Sequence, residues 1–299
     1  MASLTDAELR EIHNFLINIA ERAGKMITAA HPQAGDVGLK KNSVDLVTET
    51  DQAVEKMVST ALKERYPDFK FMGEETYQPG DVLTPSPTFI VDPIDGTTNF
   101  VHSYPYACIS LGLAIHRRPA IGVIYNPFTR LLYHAISGHG AFLTDKSTAS
   151  PPRRLPLQSP APLASLAGSL VIVEWGSDRA GNDFAVKLDT FGALARAREE
   201  GGAMVHSLRS CGSAALNMCA VAAGQADAYW EAGCWAWDVC AGWCVLEEAG
   251  GYVVDANPGG WEPKVEGRRY LCVRGGEGKK EFVEEFWRVV KGRFEVGVE

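Results

Sequence analysis

The sequence predicts a mixed fold, of α+β character in its first half and α/β character in its second. Three observations carry this prediction. An amphipathic helix opens the chain, with Leu9, Ile12, Leu16, Ile19, Ala20, Ala23 and Ile27 at helical spacing. Apolar runs at 107–115, 120–125 and 131–136 are joined by spacers so short that the strands must be antiparallel. From residue 170 onward, apolar strands alternate with helical patterns, as in a sheet covered by helices.

The elements follow in order. Thr5-Asp6-Ala7-Glu8 has the pattern of a capping box and sets the start of the first helix. A polar loop with Lys40, Lys41 and Asn42 comes next, and its spacing assigns the basic pair no role. Thr50 and Asp51 open a second helix, with Val54, Met57, Val58, Ala61 and Leu62 on one face, which stops before Pro67. A short strand at 69–72 ends in the polar Gly73-Glu74-Glu75, and 77–87 is a Pro- and Gly-rich loop. A buried strand at 89–91 precedes the meander, whose turns are Arg117-Arg118-Pro119 and Asn126-Pro127-Phe128-Thr129. His116, His134 and His139 match no metal-ligand spacing and read as surface or satisfied core histidines.

Residues 145–162 are rich in Pro, Ser and Thr and lack periodicity, which marks a boundary or an extended surface loop. The expected halves are 1–150, with an antiparallel-rich sheet, and 151–299. In the second half, strands are expected at 170–173, 204–208, 227–230, 252–254 and 270–273. Helices are expected at 183–197, 212–223, 237–248 and from 279 to about 290.

With 299 residues the chain suits one large domain or two smaller ones. A net charge of −8 argues against general binding to nucleic acid or acidic membranes. Seven cysteines in a chain this large read as buried, reduced thiols. Cys240-x-x-x-Cys244 with Cys234 lacks the second paired cluster that a zinc site needs. No secretory signal is apparent, and no run reaches the roughly 20 apolar residues of a membrane span. A cytoplasmic protein is the expectation.

The chemistry centres on Asp92-Pro93-Ile94-Asp95-Gly96-Thr97-Thr98-Asn99-Phe100, at the end of the apolar strand. Two acids three apart at a strand end can face one point. Gly96 permits a tight turn, and Thr97-Thr98-Asn99 favour a helix start, where backbone amides can receive phosphate. Such a turn could hold hard cations and an anion together, the usual Mg²⁺ arrangement in phosphoryl chemistry. Asp-x-x-Asp alone is an ordinary turn; the full stretch points to a site. In the second half, Gly212-Ser213-Ala214 opens a helix, and its small residues serve close ligand approach or helix packing equally well. Glu231 closes a strand and on its own reads as exposed. Asp238 opens a helix behind Trp235 and Trp237 and on its own reads as an N-cap.

The motif from Asp92 to Phe100 resembles the first signature of the inositol monophosphatase family. Trp237-Asp238-Val239-Cys240-Ala241-Gly242, followed by Glu248-Ala249-Gly250-Gly251, resembles its second. Gly73-Glu74-Glu75 and Asp45-Leu46-Val47-Thr48-Glu49-Thr50-Asp51 fit at the expected places, so the resemblance covers roughly residues 9–273.

The resemblance implies a layered α-β-α-β-α sandwich of the inositol monophosphatase and fructose-1,6-bisphosphatase type. It implies Mg²⁺-dependent, lithium-sensitive hydrolysis of inositol monophosphate, by in-line attack of a metal-activated water with two or three ions per site. The implied metal ligands are Glu74, Asp92, the Ile94 carbonyl, Asp95 and Asp238. Glu74 and Thr97 would position the water, with Asp51 orienting the Thr97 hydroxyl. The implied substrate contacts are Asp95, Gly96, Thr97, Gly212, Ser213, Ala214, Glu231 and Asp238. A small phosphorylated polyol would be the partner, bound by a homodimer. Shared motifs leave open a sugar bisphosphate, a 3′-phosphonucleotide or histidinol phosphate as substrate. A silent metal- or phosphate-binding scaffold is the non-enzyme alternative, disfavoured by the intact acid set.

Overall fold

The computed structural model describes residues 4–30, 37–39 and 46–297. Helix α1 (Asp6–Ala29) begins at the expected capping box. The Thr5 amide and hydroxyl both donate to Glu8 Oε2 at 2.7 Å, and the Glu8 amide returns a bond to Thr5 Oγ1 at 3.3 Å. Strands β1 (Val37–Leu39) and β2 (Leu46–Thr48) form a separate antiparallel pair. Lys40, Lys41, Asn42 and Asp45 lie outside the described residues. Helix α2 (Glu49–Arg65) starts one residue before the expected Thr50, because Thr48 caps it and Asp51 closes a second capping box. It ends ahead of Pro67, as the Tyr-Pro step requires.

Strands β3 (Lys70–Gly73), β4 (Thr88–Asp95), β5 (Cys108–Ile115), β6 (Arg118–Asn126), β7 (Leu131–Ile136), β8 (Ala141–Asp145) and β9 (Arg153–Arg154) form one sheet in chain order. Only β3 and β4 pair in parallel; the later pairs are antiparallel. Three details differ from expectation. The β5–β6 turn is the two residues His116 and Arg117, at φ 51° and 63°, with Arg118 and Pro119 already in the strand. Their left-handed backbone suits the twist of a two-residue hairpin. Strand β4 runs past Val91 through both aspartates, and its register shifts between Asp92 and Asp95, where Pro93 offers no amide. Finally, β8 was not foreseen, and β9 forms inside the stretch read as a loop.

The second sheet holds β10 (Leu170–Val173), β11 (Ser207–Arg209), β12 (Ala228–Ala232), β13 (Tyr252–Val254) and β14 (Arg269–Val273), ordered β11-β10-β12-β14-β13. Helix α3 (Thr97–Val101) follows β4, and α4 (Gly181–Ala195), α5 (Ala214–Ala222), α6 (Ala236–Glu248) and α7 (Lys279–Val289) are interleaved with the second sheet. The strand expected at 204–208 is confined to Ser207–Arg209, with Met204 in a left-handed turn at φ 52°.

Three apolar layers fix the architecture. Ile12, Leu16 and Ile19 of α1 and Val54, Val58 and Leu62 of α2 pack on Phe89, Val91, Leu111 and Val123, one face of the large sheet. The alternate residues of that sheet, including Ile90 and Ile124, face α5 and α6, whose other sides meet Tyr229, Tyr270 and Cys272 of the second sheet. Val186 and Leu194 of α4 and Phe282 and Phe286 of α7 cover Val171, Val173, Trp230 and Leu271 beyond it. This is the α-β-α-β-α order. Lying between two sheets, α6 is buried nearly all round.

Close approach of α6 to the large sheet depends on two glycines. A Cβ at Gly112 would stand 2.7 Å from Cys240 Sγ, and one at Gly122 only 2.2 Å from the Ala241 carbonyl oxygen. Gly122→Ala should therefore cost about 1–3 kcal/mol by overpacking. Chemical denaturation would measure it; a neutral outcome would mean that α6 can slide away freely.

Candidate active site

The site forms where strand ends and helix starts from both sheets converge. Strand β3 delivers Glu74, strand β4 delivers Asp92 and Asp95, and the first turn of α6 delivers Asp238. Asp92, Asp95 and Asp238 each offer an oxygen within 4.8 Å of the others. Asp92 is 2% exposed, and its Oδ1 has no hydrogen-bond partner. Burial pushes its carboxyl well above the usual range, and the charges of Glu74, Asp95 and Asp238 push it further. Asp238 is raised by burial and by Asp95 and Glu74, against the opposing bond from the Trp235 amide at 2.6 Å. It is not the N-cap that the spacing suggests: Trp235 takes that place, and Asp238, in the first turn of α6, reaches back to the Trp235 amide while belonging to the acid cluster.

Asp95 is held from the other half of the chain. Its Oδ2 accepts the Ser213 hydroxyl and the Ala215 amide, each at 2.7 Å, and Oδ1 accepts the Ala214 amide at 3.3 Å. Burial raises its carboxyl to about 6 in spite of these bonds. Substrate contact had been expected of Gly212, Ser213 and Ala214, but the structure gives their polar groups other partners. Ser213 and Ala214 are buried against Asp95, and the Gly212 amide donates to Glu174 Oε1 at 2.8 Å. None of the three lines the neighbouring cleft.

Gly96 joins β4 to α3 at φ 95°, and a Cβ there would stand 2.9 Å from the Tyr106 carbonyl oxygen and 3.1 Å from that of Gly212. Only glycine fits such a left-handed, crowded turn. The Thr97 hydroxyl lies 3.1 Å from the Ile94 carbonyl and 3.3 Å from Asp51 Oδ1. Asp51 meanwhile accepts the Thr48 amide at 2.9 Å and the Thr48 hydroxyl. Asp51 thus sits in the first turn of α2, where an acid suits the helix dipole, and also lies within reach of the Thr97 hydroxyl.

Glu231 is the clearest departure from a bare reading of the spacing. It lies inside β12 and is 8% exposed, not an exposed strand end. The Tyr229 hydroxyl donates to its Oε2. Burial and the Glu174 charge raise its carboxyl to about 7, against the lowering effect of Lys187. A cleft of about 540 Å³ joins Glu231 to Glu74 and Asp238, with Lys187, Trp235 and Arg268 also on its walls. Trp235 stacks on Trp237 at 5.2 Å, and the Arg268 guanidinium lies 3.6 Å over the Trp235 ring.

Two structural carboxylates escaped the sequence reading. Glu174 Oε1 accepts the amides of Cys211 and Gly212 and the side chain of Asn217 at 2.6–2.9 Å. Glu55, buried on α2, accepts the Glu75 amide at 2.7 Å beneath Gly73. Glu174 follows the apolar run 170–173 just as Asp92 follows 89–91, so the same signal was present. The histidines are as expected: His134 is buried against His13 and Thr144, and His116 sits in a turn.

Hard oxygen donors crowded together, one of them an unpartnered buried oxygen, fit a small divalent cation. Layered sheets with such a cluster where they meet suit metal-assisted chemistry, and the family match makes that chemistry phosphoric monoester hydrolysis. The chain belongs to the inositol monophosphatase family, whose sequence profile matches residues 8–291. It is 46% identical to inositol monophosphatase 2 of Saccharomyces cerevisiae, over 98% of this chain and 99% of that one. Identity to human inositol monophosphatase 1 is 37%, over 84% and 85%. The crystal structure of the suhB protein of Bartonella henselae superposes with a TM-score of 0.75 at 27% identity, covering 94% of this chain and 98% of that one.

The raised carboxyls make metal-free stability depend on pH. Each binds its proton more tightly folded than unfolded, so stability is present at low pH and lost as pH rises through the folded values, about 6 for Asp95 and about 7 for Glu231. Buried His13 and His134 act oppositely, below their ordinary value of 6.5. The Tm of metal-free protein should therefore fall from pH 6.5 to 8.5. Asp92→Asn should raise the Tm at the upper end and flatten the slope. An Asp92→Asn protein less stable at pH 8 than its parent would contradict the mutual repulsion.

Proposed function

We propose that this protein hydrolyses inositol monophosphate to inositol and phosphate with Mg²⁺. The observation that carries the reading is one cleft with two chemistries. Glu74 and Asp238 of the acid cluster line it together with buried Glu231. Phosphate would meet the first and a hydroxyl-bearing leaving group the second.

Glu74, Asp92, the Ile94 carbonyl, Asp95 and Asp238 would hold Mg²⁺, two or three ions in all. Bound there, Mg²⁺ supplies charge neutralisation for the phosphoryl oxygens and lowers the pKa of water. The remaining work falls to the chain. Glu74 and the Thr97 hydroxyl position the attacking water in line with the leaving oxygen, and Asp51 orients Thr97. Amides at Gly96 and Thr97 hold the phosphate. Attack by water is direct, with no covalent enzyme intermediate. Glu231 accepts hydrogen bonds from ring hydroxyls and so reads the part of the substrate that phosphate esters do not share. The working form is taken to be a cytoplasmic homodimer, on family resemblance alone.

Phosphate release from a panel of esters with Mg²⁺ tests this directly. Inositol monophosphate should give the highest kcat/KM, ahead of a sugar bisphosphate, a 3′-phosphonucleotide and histidinol phosphate. Chelator should abolish turnover and lithium should inhibit it. Another ester ranking first would replace the substrate, and no release from any ester would leave a binding scaffold.

Glu231→Gln sharpens the assignment. It should lower kcat/KM for inositol monophosphate by about 2 kcal/mol, the size of a hydrogen bond to a charged group. A simple aryl phosphate should lose far less. Equal losses on both would make Glu231 part of the general machinery.

A further inference from the structure

Lys187 lies on the inner face of α4 and is only 2% exposed. Lysine is almost never so buried unless its charge is met. Its Nζ donates to the Trp175 carbonyl at 2.9 Å and the Ala232 carbonyl at 2.7 Å. The Phe294 ring lies 6.0 Å away. An ammonium has three donors, and these two bonds use two of them.

A glycine stands beside the ammonium. A Cβ on Gly176 would stand 3.1 Å from Lys187 Nζ and 3.7 Å from Glu231 Oε1. Gly176 adopts φ 61° and keeps that space clear. Its neighbours there are the ammonium, the Ala232 carbonyl at 3.5 Å that the ammonium already engages, and the Glu231 carboxylate, whose other oxygen is taken by Tyr229. Gly176, Lys187 and Glu231 all line the cleft that reaches Glu74 and Asp238.

Building on the polyol-phosphate reading, we infer that Lys187 is a specificity-determining residue. It pairs with Glu231 across Gly176 to take two neighbouring hydroxyls of the substrate ring. One hydroxyl donates to Glu231 Oε1 while its neighbour accepts from Lys187 Nζ. A vicinal diol satisfies both groups, and an aryl leaving group satisfies neither. Buried polar groups left unmet by the wrong ligand are the strongest source of discrimination open to such a site. With Arg268, the ammonium sets positive charge among Glu74, Asp178, Glu231 and Asp238 on the same cleft.

A lysine that merely tied Trp175 to Ala232 would support every substrate equally, and this separates the two roles. The full-length, Mg²⁺-loaded enzyme and its Lys187→Gln variant are assayed on inositol monophosphate, on monodeoxy analogues lacking one ring hydroxyl, and on an aryl phosphate. Lys187→Gln keeps a donor for one carbonyl while removing the charge. It should lower kcat/KM for inositol monophosphate about 10- to 100-fold, as expected for a hydrogen bond to a charged group. The loss on the aryl phosphate should stay below about threefold, since that ester never used the pair. One monodeoxy analogue should be poor for the parent enzyme and no worse for the variant, the non-additivity of two partners in one contact. Parallel losses on all substrates, or additive losses with every analogue, would overturn the inference. If the variant does not fold, a parent enzyme indifferent to every single deoxygenation would overturn it. A parent enzyme that cleaves the aryl ester but not inositol monophosphate would instead refute the substrate reading, and the inference with it.

Discussion

Like charges held together in a buried place are the constraint on which this structure turns. Asp92, Asp95 and Asp238 converge within 4.8 Å, and burial together with neighbouring acids raises all three carboxyls. Such a cluster opposes folding unless something holds it. Part of the answer is within the chain, where Ser213 and the first amides of α5 grip Asp95. Asn99 Nδ2 donates to the Cys211 carbonyl at 2.7 Å across the same seam, and Glu174 secures the amides of Cys211 and Gly212. The residual repulsion is what a divalent cation relieves, which makes the site costly when metal-free and stable when loaded.

The middle layer makes this convergence possible. Helices α5 and α6 are buried between two sheets, so their side chains must suit both. Small residues on the sheet side, Gly112 and Gly122, let α6 approach until its N-terminus brings Asp238 to the end of β4. The second sheet brings Glu231 and the loop beyond β10 to the same cleft. On the proposed function, phosphate chemistry and leaving-group recognition come from different layers, and variation in the second need not disturb the first.

Much of this was legible in the sequence. The capping box of α1, the antiparallel meander and the β/α alternation each left a local pattern, and local patterns survive into the structure. Strand-end acids after apolar runs marked Glu74 and Asp92, and family resemblance supplied the grouping with Asp238. What was not legible is set by contacts distant in sequence. Glu231 looks exposed beside Gly233, and only the packing of β12 between its neighbours buries it. Ser213 and Ala214 carry no sign in their own spacing that Asp95 would take them up. Lys187 had a faint signal, a charge three residues before Thr190 and seven before Leu194 on the apolar side of α4. β9 is two residues long and owes its existence to pairing with β8. No periodicity can announce such a strand.

The account rests on acids from the large sheet and from the helix packed on it forming one cation site. Isothermal titration of Mg²⁺ into the metal-free protein near pH 6.5, repeated in buffers of different ionisation enthalpy, tests that most directly. Raised carboxyls must give up protons as the cation enters, so the apparent heat should vary with the buffer. Asp238→Asn, changing the one member of the trio supplied by α6, should weaken binding and reduce the proton release together. Buffer-independent heats, or Mg²⁺ affinity unaltered by Asp238→Asn, would contradict a shared site.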